Sequence, residues 1–552
     1  MKRGLTALAV ALLAFGGAPV ARAANNAAAV PATPSDLGAV AKQVDVLLDG
    51  WQFKEAAAAL ATLKSAAPGA PETSFLDGYQ KFLTGDYDGA VHALSAASDA
   101  QPANGEIKSL KELAAAARDA IKDFREERSP HAIIHYAPED AALVPYARDT
   151  VEAAYAALHA DLGFELAQPI RVEFYRAPSD LAAVSSLSVA EVARTGTIAL
   201  CKWARLMVTT PRALAYGYPW LDSMNHELVH YAVSTLSKDR APVWFQEGLA
   251  KFLERRWREP PGGRIPPPME HLLAKALRSG HLISFEAMHP SMAKLPSAED
   301  ATLAFAEVEN AIAYLYEKGG MAALRDAIKR VGDGEDARQA VAAAAGGGWP
   351  EFARGWRAFM VAQHYKTFPA IDIATTHIRK ANAIASGRKP AEEDALSPAL
   401  KASAPFRYLR LGNMLLGRDH PRAAAAEYEK GQKAVTSTAR NDPSATWVFP
   451  VKLGRTYLAL GEPERALKAL APVQALYPDL PWPNLIAGEA RLALGDAPGA
   501  VTALRASLAT NPFDPRVHCA LAAAYGKLPA SAPATAAEMT REQQLCKQLG
   551  AE

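Results

Sequence analysis

Between about Ser35 and Phe124 apolar residues recur at three- and four-residue spacing with few β-branched runs, the period of amphipathic helices. The same texture returns after about Pro405 and runs to the end of the chain. From about Ser129 to Phe368 the pattern changes. His131-Ala-Ile-Ile-His-Tyr136 and Ile170-Arg-Val-Glu-Phe-Tyr175 are short, β-branched and aromatic runs that predict strands, and they enclose a predicted helix from about Ala142 to Leu162. Thr195 to Leu200 and Leu206 to Thr210 predict two more strands. A helix-rich half follows, interrupted by a Pro/Gly loop from Glu259 to Pro268. Strands first and helices second predict an α+β domain between two α-helical blocks in a multidomain, mainly α chain.

The helical blocks are periodic. Trp51, Ala56 and Pro68 stand at offsets 0, 5 and 17, and Gly85, Ala90 and Pro102 repeat them 34 residues later. Gly461, Ala466 and Pro478, then Gly495, Ala500 and Pro512, do the same near the other end. Around Gly417 a poorer copy has Ala423 six residues on, which predicts a turn longer by one residue. This pattern resembles the tetratricopeptide repeat, in which a small residue makes the turn, alanine lets two helices approach and proline ends the second helix. Two repeats are expected before Phe124 and three or four after Pro405, with Val517 to Leu549 packing at the end. Short stacks need neighbours to bury their faces, so the repeats are expected to dock on what lies between them.

Composition narrows the class. Of 552 residues half are hydrophobic and 22% are charged, which fits soluble globular domains. The chain opens Met-Lys-Arg, continues with an apolar run from Leu5 to Phe15 and reaches Ala21-Arg22-Ala23, the zones of a secretory signal. Cleavage is expected after Ala23, giving a periplasmic or secreted protein without stable membrane insertion, since the apolar run is short of the roughly 20 residues that span a bilayer. Without that leader, 57 basic residues face 59 acidic ones, and no electrostatic case for nucleic acid remains. The three cysteines, Cys201, Cys519 and Cys546, make no disulfide-rich scaffold, and the sequence leaves open whether the last two bridge or all three pack as small thiols.

The candidate chemistry lies at His226-Glu-Leu-Val-His230. Residues four apart on a helix share a face, so the two imidazoles can converge on one metal, and Asp222 or Ser223 is placed to cap the helix. HExxH arises by chance in roughly one or two chains per hundred of this composition, so a second element has to support it. Pro242-Val-Trp-Phe-Gln-Glu-Gly-Leu-Ala250 supplies one: a helix expected to run through Phe252, Leu253 and Trp257. It places Glu247 17 residues after His230, enough chain for a turn at Lys238-Asp-Arg-Ala241 and a return beside the first helix. Two imidazoles and one carboxylate, with a fourth position left for water, form a hydrolytic zinc arrangement that brings the pKa of bound water toward about 7. Glu227 is then the candidate general base, and Gly248 and Ala250 allow close packing.

The motif pair His226-Glu-Leu-Val-His230 and Trp244-Phe-Gln-Glu-Gly-Leu-Ala250 resembles the thermolysin-like gluzincin metallopeptidases, in particular the peptidase-MA-like domains often combined with tetratricopeptide repeats. The resemblance implies one Zn2+ held by His226, His230 and Glu247, water activated by Glu227, and a strand, Thr195 to Leu200 or Leu206 to Thr210, that pairs with an extended peptide substrate. Many gluzincins add a tyrosine or histidine for the oxyanion; here Phe305 stands in the downstream helix Leu303 to Glu309, leaving Tyr231, Tyr314 and Tyr316 as substitutes by proximity. Cys201 could cap the metal or simply pack, and Trp220 and Trp244 are expected to pack around the two helices. The expected organisation is a leader over 1–23, tetratricopeptide-like helices over 24–128, the peptidase domain over 129–368, a linker over 369–404 and further repeats over 405–552. The expected function is a zinc metallopeptidase whose repeats engage protein partners or substrates; the other reading is an exported repeat scaffold whose zinc domain is catalytically inactive.

Overall fold

A computed structural model describes residues 34–292, 295–368, 370–371, 396–438, 442–529 and 533–550. The expected leader lies outside these residues, as does most of the expected linker. The described chain is mainly helical with one small sheet, and no helix in it is long and apolar enough to cross a membrane. It divides into two compact units: one holds the described parts of Met1–Thr209, Ser223–Gly263 and Leu282–Gln363, the other those of Thr210–Asp222, Arg264–His281 and His364–Glu552.

In the first unit α1 (Pro34–Asp49) pairs with α2 (Phe53–Ala66), α3 (Pro71–Thr84) pairs with α4 (Tyr87–Ala100), and α5 (Gly105–Ile121) packs on α4. In the second, the pairs are Phe406–Leu416 with Pro421–Thr438, Pro443–Ala459 with Pro463–Leu476, Pro481–Ala493 with Ala497–Leu508, and Pro515–Tyr525 with Pro533–Gly550. The sequence period has a steric origin. Ala56, Ala90, Ala466 and Ala500 are fully buried between paired helices. Seven residues before the turn, Gly78, Gly454 and Gly488 face Leu94, Leu470 and Leu504 so closely that an added Cβ would come within 2.5, 2.8 and 2.4 Å of the leucine side chain. The turn residue is left-handed at Gly85, Gly461 and Gly495, and Trp51 adopts the same conformation, with φ 56°, in the place of a glycine.

The copy near Gly417 departs from expectation. Gly417 is right-handed; Asp419 is the left-handed residue, at φ 59°. Counted from Asp419, the fully buried Ala424 falls at offset 5 and Gly412, seven residues before, faces Tyr428. The repeat is therefore regular, and aspartate tolerates the left-handed turn well enough to hide it from a search for glycine. In the last pair Cys519 and Cys546 form a disulfide across a Cα–Cα distance of 4.9 Å. Beside it the buried His518 bridges Glu542 Oε2 at 2.7 Å and the Pro512 carbonyl at 2.8 Å.

The sheet belongs to the first unit. β1 (Arg125–Arg128), β2 (Ala132–Tyr136), β3 (Ile170–Tyr175), β4 (Ala199–Lys202) and β5 (Arg205–Thr209) lie in the order β1-β2-β3-β5-β4. The β2, β3 and β5 strands are parallel, and both edges are antiparallel. The 19-residue helix α6 (Val144–Leu162) makes the crossover from β2 to β3. β1 was not expected: Arg-Glu-Glu-Arg has no apolar alternation, because as an exposed edge strand it buries no face. The third expected strand starts later than Thr195, since residues Val189–Thr195 form a helix, α8, that ends at the left-handed Gly196; it follows the short α7 (Pro178–Ala183). β5 is hydrogen-bonded on both sides, so of the two candidate peptide-pairing strands β4 is the one that lies at an edge of the sheet among the described residues.

Candidate metal centre

Helix α9 (Trp220–Ser237) begins two residues before Asp222, which therefore lies in the first turn, and neither Asp222 nor Ser223 is the cap. It ends in two left-handed residues, Lys238 and Asp239, and the Asp239 amide donates back to the Ser234 carbonyl at 2.8 Å. Pro242 then caps α10 (Val243–Leu253), which returns alongside. α10 stops at Leu253, so Trp257 lies in the turns beyond it rather than on the helix. After α11 (Pro267–Ser279) comes α12 (Ala298–Gly332), kinked at Gly319 and Gly320, then α13 (Ala337–Ala344) and α14 (Trp349–Ala362). α12 packs directly on α10 at Gly248, where an added Cβ would lie 2.8 Å from both the Val308 carbonyl oxygen and Ile312 Cγ1.

This framework brings His226, His230 and Glu247 together, the only group of three or more His, Cys, Asp or Glu among the described residues with ligand atoms close enough to share a metal. His226 Nε2 is 3.1 Å from His230 Nε2, and Glu247 Oε2 is 3.3 and 3.4 Å from the two nitrogens. Zinc bonds of about 2.0–2.1 Å in tetrahedral geometry put neighbouring ligand atoms about 3.3–3.4 Å apart, so the three atoms fit three corners of such a site. Both Glu247 oxygens are buried and, among the described residues, have no hydrogen-bond partner apart from the imidazoles, an arrangement that would be costly unless a cation sat there.

A further ring of residues orients the candidate ligands. Glu254 Oε2 lies 3.3 Å from His226 Nδ1 and is itself held by Lys251 Nζ, which reaches its two oxygens at 2.7 and 2.8 Å. Gln246 Oε1 lies 3.3 Å from His230 Nδ1, and Gln246 Nε2 donates to Ser234 Oγ at 3.1 Å. Carboxylate or amide oxygens behind metal-binding imidazoles set the tautomer and raise ligand basicity. Without a cation, burial lowers the His226 pKa, but hydrogen bonds to Glu247 and Glu254 overcome it and raise it to about 10. Burial likewise opposes ionisation of Glu247, and the neighbouring His230 and His226 outweigh it, holding the carboxyl at about 2. The cradle is thus built to stabilise positive charge. Glu227, one residue from His226, is buried, and burial raises its pKa against the pull of His230 and His226; the Cys201 backbone N–H donates to it.

Other expected participants are placed elsewhere. Tyr314 packs on Phe352 and Phe359, and Tyr316 on Phe252. Tyr231 stacks on Trp51 with ring centroids 5.0 Å apart and meets Phe164 edge-on. The Cys201 thiol is not in the ligand group, and Trp244 packs face to face on Phe285 at 4.4 Å. Sequence reasoning missed Gln246, Lys251 and Glu254. The last two carried a usable signal, since positions four and seven after Glu247 lie on the same face of its helix.

Two imidazoles from one helix and a carboxylate from the next define the donor class of hydrolytic zinc centres. Residues 150–362 match the family model described as Peptidase MA superfamily, and in the sequence that stretch lies between the tetratricopeptide-like helix pairs. No curated protein matches it significantly. Among solved structures the chain is similar to the TPR domain of P58(IPK), at 11% identity over 93% of this chain and 99% of that one with a TM-score of 0.20. It is also similar to the APC/C hetero-tetramer Cut9–Hcn1, at 13% identity over 93% and 96% with a TM-score of 0.22. TM-scores this low do not establish a shared fold, and the repeat assignment rests on the helix pairs with their buried alanines and glycines.

Proposed function

We propose that the chain is an exported zinc-dependent metallopeptidase. The observation that carries this reading is the approach of His226 Nε2, His230 Nε2 and Glu247 Oε2 to 3.1–3.4 Å of one another beside the buried Glu227. Zinc, when bound, supplies Lewis-acid polarisation and acidifies water. His226 and His230 offer neutral nitrogens, each oriented through its other ring nitrogen by Glu254 or Gln246. Glu227 takes the proton of the attacking water and passes it to the leaving amine. β4, the free edge nearest Glu227, pairs with an extended peptide. The helix pairs of the second unit engage protein partners or substrates, and the leader directs the protein to the periplasm or exterior.

A second reading, a repeat scaffold whose zinc domain binds without catalysing, is favoured by one observation: Tyr314 and Tyr316 are engaged in aromatic packing, and Phe305 stands where an oxyanion-stabilising tyrosine is expected. Zinc content and peptide-library hydrolysis, measured on the mature chain beside Glu227→Gln, separate the two. Stoichiometric zinc in both with hydrolysis only in the parent supports the peptidase. Zinc without hydrolysis in either supports the scaffold, and absence of zinc refutes both.

A further inference from the structure

The turn between β4 and β5 holds two consecutive non-glycine residues in the left-handed region, Trp203 at φ 53° and Ala204 at φ 55°. Such a conformation is disfavoured for both and persists only where packing over-determines it. The packing comes from the first helix pairs. Phe82 of α3 meets the Trp203 ring edge-on at 5.3 Å. The buried Arg205, the first residue after the turn, lies over the Phe82 and Tyr87 rings at 5.1 and 5.3 Å and donates to Glu173 at 3.1 Å and to the Val184 carbonyl at 3.1 Å. Tyr87 of α4 closes the ring by donating to Glu173 at 2.7 Å. On the other side of the turn, Lys202 is tied to Ser186 Oγ at 2.9 Å.

This anchorage bears on the metal centre through the strand register. In a two-residue hairpin Lys202 and Arg205 exchange hydrogen bonds, so Cys201, opposite Leu206, directs its own N–H and carbonyl away from β5. That outward N–H is the one that donates to the Glu227 carboxylate. A second contact runs from the same helices to the ligand helix: Trp51, left-handed at the first repeat turn, stacks on Tyr231, the neighbour of His230.

We propose that the first two helix pairs are a positioning element of the active site, with Phe82 and Tyr87 holding the β4–β5 turn so that Cys201 N–H stays on Glu227 and β4 keeps its free edge presented. Phe82, Tyr87, Trp203 and Trp51 are positioning residues, and the proposal rests on the reading of Glu227 and β4 given above.

Hydrogen exchange on the full zinc-loaded chain tests this without relying on turnover. In Trp203→Ala, and in Phe82→Leu, which keeps apolar bulk but loses the ring edge, exchange of the amides at 199–202 should accelerate at least about tenfold while α9 and α10 stay protected. Zinc content should be unchanged, and Trp203→Phe should stay within about threefold of the parent. Unchanged exchange at 199–202 overturns the proposal, as does acceleration shared equally by α9 and α10, which would signal general loss of stability. Where the parent hydrolyses a peptide, kcat/KM should fall at least about tenfold in Trp203→Ala, and an unaltered value also overturns the proposal. A parent with no hydrolysis counts against the peptidase reading, and the exchange result then decides the positioning role by itself.

Discussion

Replacing Glu254 by glutamine changes one charge behind a candidate metal ligand and little else. The Glu254 carboxylate faces His226 Nδ1 at 3.3 Å and holds the Lys251 ammonium at 2.7 and 2.8 Å, and all three groups are largely screened from solvent. Glutamine keeps an acceptor oxygen for the imidazole N–H but withdraws the negative charge that makes that imidazole a better donor. Removing a partner of this kind typically weakens metal binding about 10- to 100-fold, or about 1.4–2.7 kcal/mol. Glu254→Ala should cost more, because Lys251 also loses the carboxylate it holds. Zinc affinity measured by competition with a chromophoric chelator checks the order: parent tightest, then Glu254→Gln, then Glu254→Ala, with His226→Ala lacking the site. If Glu254→Gln binds zinc within about twofold of the parent, the carboxylate does not tune His226 and the account of the ligand shell is wrong.

Glu307, buried on α12 and accepting from the Ile283 N–H, has its pKa raised by burial to about 8. Between its ordinary 4.5 and 8 the folded state keeps a proton that the unfolded chain has lost, so stability should fall as pH rises through that window. Glu307→Gln should flatten this fall, measured by urea unfolding from pH 5 to 8.5; an unchanged slope refutes the assignment. Gly248→Ala drives a Cβ into the Val308 carbonyl and should cost about 1–3 kcal/mol in denaturant unfolding, whereas a neutral effect means α10 and α12 are less closely packed than described. Reducing the Cys519–Cys546 bridge opens a loop of sequence separation 27 and should destabilise the last helix pair by about 3–4 kcal/mol on loop entropy. Thermal melts with and without reductant read it, and coincident melts refute it.

The approach of the three candidate ligands was legible because each member is tied to a local period: four residues between the histidines fix one helical face, and the next helix has only a short turn in which to return. The alanine positions of the repeats were legible for a related reason, since one added methyl group would separate paired helices everywhere. What escaped was governed by tertiary surroundings. β1 is a strand only because β2 offers its edge, and Asp419 is a repeat turn only because its backbone is left-handed. Glu254 acts on His226 only once α9 and α10 lie side by side. The start of α9 at Trp220 and the end of α10 at Leu253 also differ from the sequence reading, since helix termini are the least sharply encoded positions of a chain.

The two edges of the sheet are chemically unequal, and that sets a limit on assembly. β1 presents Arg125, Glu126, Glu127 and Arg128, mostly to solvent, whereas β4 offers an outward backbone with few charges. Propagating a sheet from molecule to molecule requires two receptive margins on every copy. This sheet has one, so two copies meeting β4 to β4 would exhaust the capacity for strand addition, and growth would stop at a pair. The margin proposed to accept an extended peptide is thereby kept from seeding a fibre.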